Sequence, residues 1–136
     1  MGYVYEIITL KNSNDVGNFQ QGFIKESEIR KTSVKALVDT GARTLVINNE
    51  VLSTLGLAII GKRGSELADG SWQDFQITAP VDILWEDRET SCRAIVAPDS
   101  SEVLLGAIPL EDMDLIVDPF QQKLIGAHGY EAIIRI

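Results

Sequence analysis

The segment of this 136-residue chain best suited to chemistry is Val38-Asp39-Thr40-Gly41-Ala42. An apolar stretch, Leu37-Val38, ends in a carboxylate at a tight turn, with Thr and Gly behind it. A carboxylate held there can take a proton from a water molecule or, when neutral, donate one. The bland reading is that Asp39 caps a turn and Gly41 supplies a positive φ. From average residue usage, an Asp-Thr-Gly triplet arises by chance in about 3% of chains of this length. Few other reactive groups compete with it. A single cysteine, Cys92, leaves no intrachain disulfide and no cysteine-rich metal site. A single histidine, His128, leaves no site built from several imidazoles, so no metal is expected. Both have ordinary readings, Cys92 as a small core residue and His128 as a turn residue.

Charge removes further classes. Twelve Lys and Arg stand against 20 Asp and Glu, a net charge of −8. A nucleic-acid binder needs a basic face that displaces counterions, and an anionic membrane needs one too. Neither partner is therefore expected. No run of 18 apolar residues provides a membrane span. Residues 1–6 have no basic stretch followed by an apolar one, and position 6 is Glu where a myristoylation pattern needs Ser or Thr. The expected location is the cytoplasm. With 45% hydrophobic and 24% charged residues, the composition is globular, and one domain over residues 1–136 is expected.

The elements that must position Asp39 read mostly as strands. Tyr3–Leu10, Ser33–Val38, Thr44–Ile47, Cys92–Ala97 and Leu115–Val117 are rich in β-branched or aromatic residues. Phe23–Ile29 alternates weakly, and residues 11–22 read as a mobile loop. Asn48 or Asn49 can cap a brief helix with Val51, Leu52 and Leu55 on one face and Gly56 beyond its end. Asp69-Gly70 signals a type I′ hairpin turn. Phe75–Trp85 reads as a long strand interrupted by Pro80, which places it near an edge. Glu86 to Glu89 reads as a solvated tip. Val103-Leu104-Leu105 is a short buried run closed by Gly106, and Pro109 can open a second short helix. Lys123 to Ile136 would end the chain as strands. About ten short strands with one or two short helices favour a mainly β, closed barrel.

In this setting the chain resembles the retropepsin-like aspartic proteases, the single-lobed, retroviral-type family, in its bacterial and retroelement-type form. Three ordered segments carry the resemblance: Leu37 to Ala42, like the catalytic loop; Leu67-Ala68-Asp69-Gly70-Ser71, like the flap hairpin; and Val103 to Gly106 with Pro109 to Asp118, like the second half. It spans about residues 30–126. The resemblance implies an aspartic endopeptidase that needs no metal or organic cofactor. Two carboxylates sharing one proton would activate a water molecule. One chain carries one such Asp, so a homodimer would bring two copies of Asp39 together across its twofold axis. Thr40 would brace the loop against the partner's, and Gly41 would donate an N–H to the Asp39 carboxylate. Ala42 and the flap residues Ala68, Asp69, Gly70 and Ser71 would bind an extended peptide or protein substrate as an added strand.

Several residues depart from the pattern. Retroviral members follow the catalytic Ala with acidic residues and place Arg after the second-half Gly. Here Arg43 follows Ala42, and Ala107 follows Gly106. The ion pair that braces those dimers is missing or rebuilt. Arg43 reads first as a solvated charge, second as a cation that lowers the Asp39 pKa. Tyr130 to Ile136 would either pair across a twofold axis or close the barrel of one subunit. Two other readings stand beside the enzyme: a catalytically inactive retropepsin-fold dimerisation or binding module, and an unrelated β-barrel with a chance triplet. The intact triplet favours the enzyme, since a pair of carboxylates is costly to bury without a use.

Overall fold

A computed structural model describes residues 2–134 and residue 136. Among the described residues the chain forms eleven strands and three short helices, a mainly β architecture as expected. The strands are β1 (Tyr5–Asn12), β2 (Lys31–Val38), β3 (Leu45–Ile47), β4 (Ile59–Glu66), β5 (Trp72–Thr78), β6 (Val81–Trp85), β7 (Arg88–Cys92), β8 (Ala94–Val96), β9 (Val103–Leu105), β10 (Leu115–Asp118) and β11 (Lys123–Gly126). The helices are α1 (Ser13–Gln20), α2 (Asn49–Leu55) and α3 (Ala107–Asp112). Nine strands make one sheet in the order β4-β5-β8-β3-β9-β2-β1-β6-β7, and β10-β11 pair separately.

The placement of β9 matters most. It lies between β2 and β3, parallel to β2 with Val38 opposite Leu105, and antiparallel to β3 with Val46 opposite Leu104. The connection from β2 to β3 therefore passes over the end of a strand that comes some sixty residues later in the chain. Period-two alternation supplies the core. Ile8, Leu10, Ala36, Leu45, Ile47, Val81, Ile83, Val96 and Leu105 are all buried in one cluster. Their strand neighbours point outward.

Helix α2 follows its sequence signals. The Asn48 side chain accepts from the Val51 N–H at 2.9 Å, and Gly56 ends the helix at φ 58°. Val51 and Leu55 are buried. Helix α3 starts at Ala107, two residues before Pro109.

Several expectations are corrected. Residues 11–22 are not a loop: β1 runs to Asn12, and α1 follows. The Asn12 side chain accepts from the Asp15 N–H and donates to Leu55 O. The Asp15 carboxylate accepts Nε and Nη2 of Arg30 at 2.8 and 2.9 Å and the Arg30 N–H at 3.0 Å. These long-range partners order a segment whose local composition reads as turn. The Phe23–Ile29 strand is absent, and Glu26–Glu28 is a single 3-10 turn. Pro80, which has no N–H to donate, divides the long strand into β5 and β6 near opposite ends of the sheet.

The tip at Glu86 to Glu89 is only partly solvated. Arg88 is buried, and its guanidinium donates to the carbonyls of Met113, Asp114 and Gly129. The sheet is not closed, because no ladder joins β4 to β7. The outer strand β4 has no buried residue along its length, so no apolar stripe presses it toward β7. After β11, the described residues to Ile134 form no strand, and Arg135 lies outside them. The reading in which Tyr130 to Ile136 closes one subunit's barrel therefore fails.

Candidate active site

Strand β2 ends at Val38, and Asp39 begins the crossing over β9. The Asp39 N–H donates to Leu105 O at 3.0 Å, which ties the loop to the end of β9. The Ala42 N–H donates back to Asp39 O at 3.1 Å and closes the turn. The Gly41 N–H donates to Asp39 Oδ1 at 2.9 Å, as the resemblance implies. One carboxylate oxygen is thus held by backbone, while Asp39 itself is half-buried and reachable from solvent. Thr40 and Gly41 are exposed at the crest of the turn, and Ala42 is half-buried.

Gly106 holds the other side. The N–H groups of Ala107 and Ile108 donate to the carbonyls of Ala42 and Arg43 at 2.8 and 2.9 Å. A Cβ on Gly106 would press against the carbonyl oxygens of Ala42 and Thr44, only 2.6 Å from the former. Only glycine allows two backbones to approach this closely. The sequence marks Gly106 as the end of an apolar run. The contact that requires it is visible only in the fold.

The hairpin at Ala68, Asp69, Gly70 and Ser71 joins β4 to β5. It is not a type I′ turn. That type needs positive φ at both central residues, and here only Gly70 has it, at 83°. The Gly70 N–H donates to Leu67 O, and the Leu67 N–H donates to Ser71 O. This is a type I turn whose glycine forms a bulge. The Asp69 carboxylate accepts from the Ser71 N–H and hydroxyl at 2.9 and 2.6 Å. Those bonds hold its pKa below the usual carboxylate range. Trp72 lies against Gly64 across the hairpin and remains largely exposed. No hydrogen bond joins the hairpin tip to the Asp39 loop among the described residues.

The pattern described as gag-polyprotein putative aspartyl protease matches residues 26–112. The chain belongs to this family. As a gag-type, retropepsin-like aspartyl protease by family, it places Asp39, Gly106 and both arms of the hairpin within the matched span. The fold agrees. EIAV protease, solved in complex with the inhibitor HBY-793, superposes with a TM-score of 0.54 at 24% identity. That match covers 82% of this chain and 88% of the other. No curated protein matches the sequence.

Within this aspartyl protease fold, Arg43 is exposed and makes no ion pair with Asp39. Thr44 Oγ1 donates to Arg93 O at 2.9 Å and lies 3.6 Å from Cys92 Sγ. Burial pushes the Cys92 thiol up, so it stays protonated and packs as a small apolar group. His128 Nδ1 lies 2.9 Å from Asp114, away from the triplet. No group of three or more potential metal ligands exists among the described residues.

Proposed function

We propose that this protein is an aspartic endopeptidase that works as a homodimer. The observation that carries the reading is the backbone-held Asp39. Leu105 O holds the Asp39 backbone N–H and the Gly41 N–H holds the carboxylate, while the loop crest faces solvent. One subunit supplies one such group. Hydrolysis by a shared-proton pair needs two, and a twofold axis through the exposed crest at Thr40 provides the second.

In the dimer, Asp39 of one subunit is ionised and takes a proton from water. Asp39 of the other is protonated and hydrogen-bonds the scissile carbonyl oxygen. Water oxygen then bonds to the carbonyl carbon. The tetrahedral intermediate collapses as the amide nitrogen is protonated and the C–N bond breaks. Two like charges this close cannot both ionise, so the pair holds one proton between them and activity falls on either side of an intermediate pH window. The hairpin at Ala68 to Ser71 closes over the peptide and excludes water. Thr40 stiffens the paired loops, and Ala42 lines the floor.

The test compares the wild type with Asp39→Asn on a mixed peptide pool from acidic to neutral pH, well above the dimer constant. Cleavage by the wild type alone, with both proteins folded and dimeric, supports the reading. A folded wild-type dimer that cleaves nothing would point instead to a binding module. Specific activity should also drop on dilution, as sedimentation shows dimers dissociating.

A further inference from the structure

A cavity of about 210 Å³ opens beside the Asp39 loop, and three arginines line it. Arg43 comes from the loop, Arg63 from β4 and Arg93 from the junction of β7 and β8. Its apolar wall is Ile77, Ile95 and Ile108. The sheet register explains the convergence. Ile77 of β5 pairs with Ile95 of β8, and Arg63 pairs with Phe75, two residues before Ile77. Arg93 stands two residues before Ile95. Period-two alternation therefore puts Arg63, Ile77, Ile95 and Arg93 on one face of the sheet. That face lies away from the core, since the alternate residues Ala94 and Val96 are buried.

The cavity is joined to the active loop by direct bonds. Thr44 Oγ1 donates to Arg93 O, and the Ile108 N–H donates to Arg43 O. None of the three guanidiniums has an ion-pair partner among the described residues, where the pairs are Arg30–Asp15 and His128–Asp114. Asp112 lies near Cys92, but its carboxylate accepts from the Thr90 hydroxyl. Three unpaired guanidiniums at one cavity stand out in a chain of net charge −8. Like charges gathered this way repel each other, and an anion entering among them relieves the repulsion.

We propose that this cavity is a substrate subsite that selects an acidic side chain, Glu or Asp, in an extended peptide. The inference rests on the proteolytic reading of Asp39 and names the substrate class of that site. The isoleucines receive the aliphatic stem of the acidic residue, and the guanidiniums take its carboxylate in forked hydrogen bonds. Because the cations sit on the rim, the gain per contact is modest, and about three- to tenfold in selectivity is expected at this position.

The test uses ten-residue peptides of randomised sequence that differ only in one fixed position, held as Glu, Gln or Lys. Two readouts are taken. One is kcat/KM for the wild type. The other is direct binding of the same labelled peptides to Asp39→Asn by fluorescence anisotropy, which needs no turnover. Glu over Gln over Lys in both, with the Glu-to-Gln ratio falling toward one at high salt, supports the subsite. In Arg63→Gln/Arg93→Gln the ratio should approach one, and in Arg63→Glu/Arg93→Glu the preference should turn to Lys. Selective binding without cleavage by the wild type would sink the proteolytic reading and leave the acidic subsite standing. Equal binding and equal turnover of the Glu and Gln peptides would overturn the subsite, whether or not cleavage occurs.

Discussion

The Asp39 loop and the Ala68–Ser71 hairpin are both short turns between strands, yet they are held in opposite ways. The loop is tied to residues far away in sequence: Leu105, Gly106, Ala107 and Ile108 all bond or abut it. The hairpin tip is held by its own bonds, from Gly70 to Leu67, Leu67 to Ser71 and Ser71 to Asp69. A turn braced by the core keeps one geometry and opens only with the global fold. A turn braced by itself can move as a unit at low cost. Catalysis by a carboxylate pair needs the first kind of turn, and admission of a peptide needs the second.

Four substitutions test that contrast, from the largest expected effect down. Gly106→Val should be the most damaging. Its side chain has no room against the Ala42 and Thr44 carbonyls, so the loop must shift. A loss of about 3 kcal/mol in urea unfolding is expected, together with loss of cleavage. A stable, active variant would mean the loop is not clamped by β9. Leu105→Ala removes a fully buried side chain from the residue whose carbonyl holds the Asp39 N–H. It should cost about 2 kcal/mol, and any activity that survives should return with stabilising osmolyte.

Asp15→Asn addresses an anchor remote from both turns. Arg30 bonds hold the Asp15 carboxyl below the usual carboxylate range. The sign follows from linkage. A lowered folded pKa adds stability that is complete above the unfolded value near 4 and disappears as pH falls through the folded value. The variant should lose about 1 kcal/mol at neutral pH and show a flatter stability profile below about pH 4, with KM unmoved. Equal acid limbs in the two proteins would remove Asp15 as the cause.

Gly70→Ala should have the smallest effect on stability. Nothing lies near the added Cβ, so the cost is only the positive φ, about 1 kcal/mol. Its signature is kinetic: a changed KM and flap rate with an unchanged dimer constant. A loss of stability equal to that of Gly106→Val would erase the distinction between the two turns.

Much of this was legible along the chain because the signals are local. Asn48 and Gly56 bracket α2, and Gly70 and Pro80 break strands by fixed backbone preferences. The Asp39-Thr40-Gly41 turn and its Gly41 bond to the carboxylate involve neighbours two residues apart. What sequence reading missed depends on distant partners. Helix α1 reads as a loop because Arg30 and Leu55, which help order it, stand elsewhere in the chain. Arg88 reads as a solvated charge because the carbonyls that bury it belong to Met113, Asp114 and Gly129. Closure of the sheet fails for the same reason, since only packing reveals that β4 has no buried stripe.

The sequence by itself therefore determined the chemistry available: one carboxylate turn, a separate hairpin turn, few metal-binding groups and an acidic chain. Those properties depend on residue type and on spacings of a few positions. The tertiary structure alone decided that β9 enters between β2 and β3, that Gly106 must be glycine, and that Arg43, Arg63 and Arg93 face one cavity. Each of these joins residues tens of positions apart. Such contacts are set by strand order and register, which local preference does not encode.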